Sequence, residues 1–338
     1  MTVSKPGVRS WPSPAGRMGS GAEFELIRQL LGPPTDLGPA VLVGPGDDAA
    51  VLDLNRAVLS TDLTIEDVHF RRTWVTFAEA GSRAVRAAAS DLAAMAASPV
   101  AILVSLAVAT DQSDALGELG EGIRSAAYFL GVPLVGGDLT ASPGPVVIDV
   151  TVLGEVDVPV TRGGAVPGDE IWVTGVLGGS AGAVHAWRKG SDPDPELREL
   201  FVAPVARVQE ARWLVDRGLV RAMIDLSDGL AGDAGQLAAA SDVRIVLDLE
   251  ALPIHHRLPK DHASWLAMFG GEDYELCIVS APGGIESVVG TFRERFRTQL
   301  TRVGYVEEGD GVHTRTDGEL TRIDGGGFDH FESNTDSC

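Results

Sequence analysis

Lysine is nearly absent from this sequence: Lys5, Lys189 and Lys260 are the only three in 338 residues. Cysteine is scarcer still, with Cys277 and Cys338 alone. Two cysteines so placed form neither a disulfide framework nor a metal-ligand spacing. Cys277, inside "YELCIV", reads as a buried, inert thiol on a strand, and a reducing cytoplasm fits that usage. Long apolar runs are missing too. The longest, "PVAILVSLAVAT" (Pro99 to Thr110), falls short of the roughly 20 residues a membrane helix needs, so it reads as a buried strand. Positive charge is in deficit, with a formal net charge of -21. That argues against nucleic acid or an anionic membrane as the main partner. It leaves room for a phosphorylated substrate if metal ions supply the missing positive charge. A Walker A loop needs Gly-Lys followed by Ser or Thr, and no Gly-Lys pair occurs. Neither the dinucleotide fingerprint G-x-G-x-x-G nor the protein-kinase signatures are present.

What is there is ordinary globular composition, 44% hydrophobic and 22% charged, in a length that suits two domains. The stretch before Gly21 has no apolar signal-peptide core. Its Pro, Gly and Ser content suggests a disordered leader over 1–20, with Met18 as an alternative start. Apolar strand-like runs then alternate with Ala-rich helical runs. "PAVLVG", "AVLSTD", "VAILVSLAVA", "VPLVGG", "GPVVIDVTVLGEV", "EIWVTG", "VRAMIDL", "VRIVLDL" and "YELCIVS" read as strands. Phe77 to Ser98, Asp114 to Gly131, Gly179 to Lys189, Pro204 to Arg217 and Leu230 to Ala240 read as helices, the first stopping before Pro99. "TRGGAVPGDE" (Thr161 to Glu170) is rich in turn formers and marks the domain boundary. "SDPDPE" (Ser191 to Glu196) reads as a solvated loop. The pattern is α/β or α+β in both halves, with an N-terminal domain over 21–160, a C-terminal domain over 161–331 and a disordered tail over 332–338.

The acids fall in a repeated design. "VGPGDDAAVL" places Asp47 and Asp48 after a strand and a glycine turn, and "STDL" gives Ser60, Thr61 and Asp62 at a strand end. "SDLAAMAA" sets Asp91 among small apolar helix neighbours, and "VGGDLT" puts Asp138 after a strand and two glycines. "IDLSDGL" gives Asp225, Ser227 and Asp228, and "GGEDYEL" gives Glu272 and Asp273. Each has a plain explanation as a helix cap or a turn, and Asp91 has Arg83 and Arg86 nearby as ion-pair candidates. Together they pose an electrostatic question. Two carboxylates about 4 Å apart repel by roughly 4 kcal/mol at an effective dielectric near 20, against a domain stability of about 5–15 kcal/mol. Either the clusters stay apart or they share metal. Donors that are all oxygen, with hydroxyls from Ser60, Thr61 and Ser227, indicate a hard ion such as magnesium rather than zinc. The glycine turn "GVLGGSAGAV" (Gly175 to Val184) either places a helix N-terminus near an anion or serves close packing.

Taken in order, "GAEFELIRQL", "VGPGDDAAVL", "STDLTIEDVHF", "SDLAAMAASP", "VGGDLT", "TRGGAVPGDEIWVTG", "IDLSDGL", "GGEDYEL" and "GGGFDHF" resemble thiamine-monophosphate kinase, from Ala22 to Phe331. The resemblance implies the two-domain fold of the aminoimidazole ribonucleotide synthase superfamily, and a homodimer whose N-terminal domains share a β-barrel. It implies transfer of phosphate from ATP to thiamine monophosphate, directly and in line, with several magnesium ions and no side chain as chemical catalyst. Carried over motif by motif, Asp48, Ser60, Thr61, Asp62, Asp91, Asp138, Asp225 and Asp228 bind magnesium. Gly137, Arg162 and Ser227 contact ATP, and His69, Glu272 and Phe328 contact thiamine phosphate. These roles suit a reaction that asks mainly for positioning and charge neutralisation. Each residue also has a structural alternative: a solvent-facing linker arginine for Arg162, a terminal hydrophobic plug for Phe328, a turn carboxylate for Glu272, a satisfied histidine for His69. Two relatives compete. A hydrogenase-maturation dehydratase uses a terminal cysteine, and Cys338 is the last residue, but the Pro-Arg-Ile before it is missing. A purine-synthesis synthase shares the superfamily fold. A non-catalytic nucleotide sensor is the alternative from another class.

Overall fold

The computed structural model describes residues 29–32, 37–43, 51–109 and 115–323. The leader, the tail, Asp47, Asp48 and Phe328 lie outside the described residues. Contacts divide the chain into two compact units. The first comprises residues up to Val85 with Pro99–Glu155, and the second Arg86–Ser98 with Val156 onward.

In the first unit, β3 (Ala57–Ile65), β6 (Val147–Glu155), β4 (Ser98–Val108) and β5 (Leu134–Ala141) form a four-stranded sheet in that order. β1 (Val41–Val43) and β2 (Val51–Leu52) form a separate antiparallel pair. β3 and β6 are antiparallel, and β4 and β5 parallel. The parallel pair needs a crossover, which α2 (Ala115–Leu130) supplies.

Helix α1 (Phe77–Ala94) starts on a capping box. Thr76 Oγ1 accepts from the Glu79 backbone N–H at 3.2 Å, and Glu79 Oε2 accepts from the Thr76 N–H at 2.9 Å. The helix ends four residues earlier than the sequence suggests. Ala96 turns left-handed at φ 55°, and the Ala97 N–H returns to the Leu92 carbonyl at 2.8 Å, a Schellman-type stop. Ser98 and Pro99 therefore already belong to β4, with the proline near a strand start where its missing N–H does little harm.

The second unit holds a seven-stranded sheet in the order β13 (Glu319–Ile323), β12 (Gly311–Thr316), β9 (Arg244–Asp248), β11 (Leu300–Glu307), β7 (Glu170–Thr174), β10 (Leu276–Ser280) and β8 (Ala222–Asp225). Among the described strands of this sheet, β12 and β9 pair in parallel and the other neighbours antiparallel. Both faces of the central strands are covered, which is why they read as unbroken apolar runs rather than alternating ones. Ile171, Val173, Ile224, Cys277 and Val279 enter a core with α6 (Leu230–Ser241). Trp172, Met223 and Ile278 enter a second core with α5 (Val208–Val215), α8 (Val289–Phe296) and Ala93 from the end of α1. Cys277 is fully buried, and burial pushes its thiol well above its ordinary value.

This unit also holds α3 (Gly179–Arg188), α4 (Pro195–Val202) and α7 (Ala263–Phe269). The segment expected to be a loop at Ser191–Glu196 instead contains the start of α4. Asp194 caps it by accepting from the Glu196 N–H at 2.9 Å, and Pro195 takes the first helical position. The helix expected from Pro204 begins only at Val208.

Candidate active site and its carboxylate clusters

The second unit gathers acids at one end of β8. Asp225 is the last residue of that strand and is 5% exposed. The turn Leu226–Gly229 carries Ser227 and Asp228 into α6, whose first turn contributes Asp233, 2% exposed. Asp233 Oδ2 accepts from the Asp228 backbone N–H at 3.1 Å. The last turns of α1 bring Asp91, half-buried, and Ser90, buried. Burial first, and Asp91 second, push the Asp225 carboxyl up to about 7, against Ser90, the backbone and Arg162. Burial, then Asp228 and Asp225, push Asp233 to about 8.

The Ser90 hydroxyl lies close enough to Asp225 to favour its charged form, yet it meets no partner at full hydrogen-bond geometry. Asp91, Asp225, Asp228 and Asp233, with the Ser90 hydroxyl, are all oxygen donors, the type a hard divalent cation takes, although among the described residues no three of these carboxylates bring their oxygens within 4.8 Å of one another. Magnesium fits this set. Arg162 is exposed, and its charge acts on both Asp225 and Asp233. Arg86 is directed to the Pro204 carbonyl, at 3.4 Å, and to the charge of Glu199.

Next to this cluster runs Gly270–Glu275, in an unusual backbone. Gly271, Glu272 and Tyr274 all have positive φ, at 65°, 61° and 52°. For a tyrosine this is a strained conformation, which persists only where its surroundings over-determine it. Here they do. The Glu272 N–H donates to the Ser227 carbonyl at 2.7 Å and the Tyr274 N–H to the Leu226 carbonyl at 2.8 Å. The Leu226 N–H returns to the Glu275 carbonyl at 2.8 Å.

Asp273, between the strained residues, turns the other way. Its carboxylate accepts from the N–H of Gly178 at 2.8 Å and from those of Gly179 and Ser180. The helix N-terminus of the glycine turn is thus closed by a carboxylate of the chain itself. Burial raises Asp273 to about 8 despite these three donors. "GGSAG" (Gly178 to Gly182) also has the spacing of a nucleophile elbow, but Ser180 is buried and donates to the Leu200 carbonyl at 3.2 Å.

Glu275 anchors the far end of the loop. It takes Arg207 in a two-pronged ion pair, at 2.7 Å and 2.5 Å, and accepts from Thr174 Oγ1 at 2.5 Å. Burial works to lower the Arg207 guanidinium, but Glu275 and Glu210 hold it above its ordinary value. Gly175 makes room for this pair: its φ is +62°, and a Cβ there would sit 2.0 Å from Glu275 Oε1.

In the first unit Ser60, Thr61 and Asp62 lie inside β3 and Asp138 lies inside β5, not at strand ends as the sequence reading has it. Strand alternation separates the three. Ser60 and Asp62 pair with Val152 and Val150 of β6, which are fully buried. Thr61 is on the other face, where its hydroxyl donates to Asp149 Oδ1 at 2.6 Å. Asp138 is exposed and pairs with Ser105. Gly137 has φ +152°, and a Cβ there would meet the Val104 carbonyl at 1.8 Å. Close strand approach alone is enough to require a glycine there. His69 occupies a turn after β3, where its Nδ1 accepts from the Ile65 N–H at 3.0 Å.

Sequence reasoning passed over Ser90 and Asp233 and assigned Asp273 no role. A signal for Asp233 was present: an acid in the first turn of an otherwise apolar helix, five residues after Asp228. Ser90 gave none, and Asp273 gave only its place among the acids of "GGEDYEL", because their importance rests on what folds against them.

The two units and the acids gathered at the β8 end define a class. Residues 46–156 match the AIR synthase related protein N-terminal domain, and residues 166–317 the corresponding C-terminal domain. The thiamine-monophosphate kinase of Rhodopirellula baltica is 35% identical over 317 residues, covering 87% of this chain and 93% of that protein. The crystal structure of thiamine-monophosphate kinase from Stenotrophomonas maltophilia K279a superposes with a TM-score of 0.76 at 32% identity, covering 88% of this chain and 96% of that one. A structure described as AaThiL complexed with AMPPCP and TMP gives 0.71 at 30% identity, covering 81% and 87%. The chain belongs to the thiamine-monophosphate kinase family.

Proposed function

We propose that this chain transfers the terminal phosphoryl group of ATP to thiamine monophosphate, giving thiamine diphosphate and ADP. An oxygen of the thiamine phosphate attacks the γ-phosphorus in line as the bond to the β-γ bridging oxygen breaks. The nucleophile is already an anion at neutral pH, so no general base is required, and no side chain is assigned a chemical step. What the protein supplies is position and charge.

In this reading Asp91, Asp225 and Asp228 of the second unit hold magnesium, as do Ser60, Thr61, Asp62 and Asp138 of the first, together with Asp48. Bound magnesium neutralises phosphate charge and favours the anionic form of each carboxylate. Arg162 offers a permanently charged fork to phosphate oxygens, with Gly137 and Ser227 as further ATP contacts. Glu272, whose backbone N–H is held by the Ser227 carbonyl, is assigned to the thiamine phosphate, as are His69 and Phe328. The observation that carries the reading is the burial of Asp225 and Asp233 around a donor set that suits a hard cation. It agrees with a relative solved with AMPPCP and TMP.

Homodimerisation is part of this proposal. β3 exposes Leu59 and Leu63 on one face of the first unit's sheet, an apolar surface of the kind that subunits cover. Cytoplasmic residence is proposed as well. Among the described residues no helix is long and apolar enough to cross a membrane.

Incubation of the purified protein with ATP, magnesium and thiamine monophosphate should yield thiamine diphosphate and ADP in equal amounts. ADP release that does not depend on thiamine monophosphate would overturn the assignment. Cys338→Ala should leave the rate unchanged, which separates this activity from that of a dehydratase working through a terminal thiol.

A further inference from the structure

The second unit carries another group of metal-ligating side chains, made of different atoms. Glu196, His255 and His256 each offer one ligand atom, and these atoms all lie within 4.8 Å of one another. Glu196 is fixed at the second residue of α4 by the Asp194 cap. Arg257 Nε and Nη2 hold its Oε1, at 3.2 Å and 2.8 Å. That leaves Oε2 facing His256 Nε2, at 3.5 Å.

The two imidazoles are stacked, with centroids 4.9 Å apart and planes at 27°. His255 is buried and its backbone N–H donates to the Leu177 carbonyl at 3.1 Å. Its Nδ1 accepts only a long 3.3 Å contact from the Arg257 N–H.

We propose that Glu196, His255 and His256 form a binding site for a divalent transition metal ion of the zinc type, separate from the acid cluster. Two imidazoles and one carboxylate are a set that zinc accepts with an open position for water, and that magnesium, which prefers oxygen, does not. Arg257 orients the ligating carboxylate from behind, as outer partners of metal ligands do. Its positive charge also opposes the incoming cation, so the site is reversible rather than permanent. The site has a structural target. Leu177 donates to the Pro253 carbonyl and accepts from His255, and the next residue, Gly178, is capped by Asp273. An ion bridging α4 to His255 and His256 stiffens the glycine turn that Asp273 closes.

The competing arrangement is an exposed ion-pair network with His256 protonated, which binds no metal. The test uses the untagged full-length chain, stripped with a chelator and held in excess magnesium to occupy the acid cluster. Cobalt(II) is then titrated in and its visible absorption recorded. The expected result is a band that saturates at one cobalt per chain and is displaced by zinc. His256→Ala and Glu196→Gln, both at exposed positions, should each lose that band while keeping the native circular dichroism spectrum. A wild-type protein without a saturating band overturns the proposal. So does a band that survives both substitutions, and so does one lost in Asp225→Asn but kept in His256→Ala, which would put the cobalt in the acid cluster.

Discussion

Asp273 accepts a hydrogen bond from the backbone N–H of Gly178 at 2.8 Å, across 95 residues of sequence. One carboxylate thereby closes the N-terminus of α3 and holds the strained loop that carries Glu272. The first N–H groups of a helix have no partner within it, and Asp273 accepts from them, so the contact serves as a clamp. Asp273→Ala should cost about 0.5–2 kcal/mol through loss of the cap, seen as a lower midpoint in urea. It should also raise KM for thiamine monophosphate, because the loop is no longer held. An unchanged midpoint and KM would show the clamp to be idle.

Glu272 gives a sharper kinetic expectation. If its carboxylate accepts from the substrate, Glu272→Ala removes a charge-assisted hydrogen bond of about 1.5–3 kcal/mol, or roughly tenfold and more in apparent affinity. Initial-rate kinetics should show KM for thiamine monophosphate rising and KM for ATP nearly constant. An equal rise in both would move Glu272 out of the substrate site.

The Arg207–Glu275 pair tests stability apart from chemistry. Arg207→Ala strands the Glu275 carboxylate in a buried site, which should cost about 3–5 kcal/mol. Adding Glu275→Gln to Arg207→Ala removes the stranded charge and should recover part of that loss. Urea denaturation of the single and double variants decides it: a double variant no more stable than the single would mean the charge is not what matters.

The buried acids make the metal-free protein sensitive to pH. Asp225, Asp233 and Asp273 all have folded-state pKa values raised above the unfolded value, to about 7, 8 and 8. Between the unfolded and folded values the native state holds more protons than the unfolded one, so stability falls as pH rises. Thermal melts in a chelator should therefore show Tm decreasing from about pH 4 to about pH 8. Magnesium should recover Tm most at the upper end, where the carboxylates are charged.

Asp225→Asn separates ligation from folding. The neutral amide relieves burial of charge, so the metal-free Tm at neutral pH should hold or rise, its pH dependence should flatten, and turnover should be largely lost. A marked fall in Tm without metal would make Asp225 a structural acid.

Much of the second unit could be read along the chain. "EIWVTG", "VRAMIDL" and "YELCIVS" are strands because unbroken apolar runs of that length suit a sheet covered on both faces. Asp225 stands out at the end of one of them. The start of α4 was also written there, in Asp194 and Pro195, and was misread because a short polar stretch between helices looks like solvent-facing loop. The end of α1 was not legible, since Ala96 has no sequence mark of the left-handed turn it makes.

The sequence by itself determined which residues prefer burial, where glycine turns interrupt apolar runs, and that the chain holds more acid than it can balance. Those are properties of composition and short-range pattern, fixed by side-chain chemistry and backbone sterics. Only the tertiary structure decided which acids are buried near one another, which face of β3 Thr61 takes, and which carboxylate occupies the helix N-terminus at Gly178. Each depends on segments tens of residues apart being brought within a few ångströms. At that range desolvation and hydrogen bonding, which no local pattern encodes, set the charge and role of a side chain.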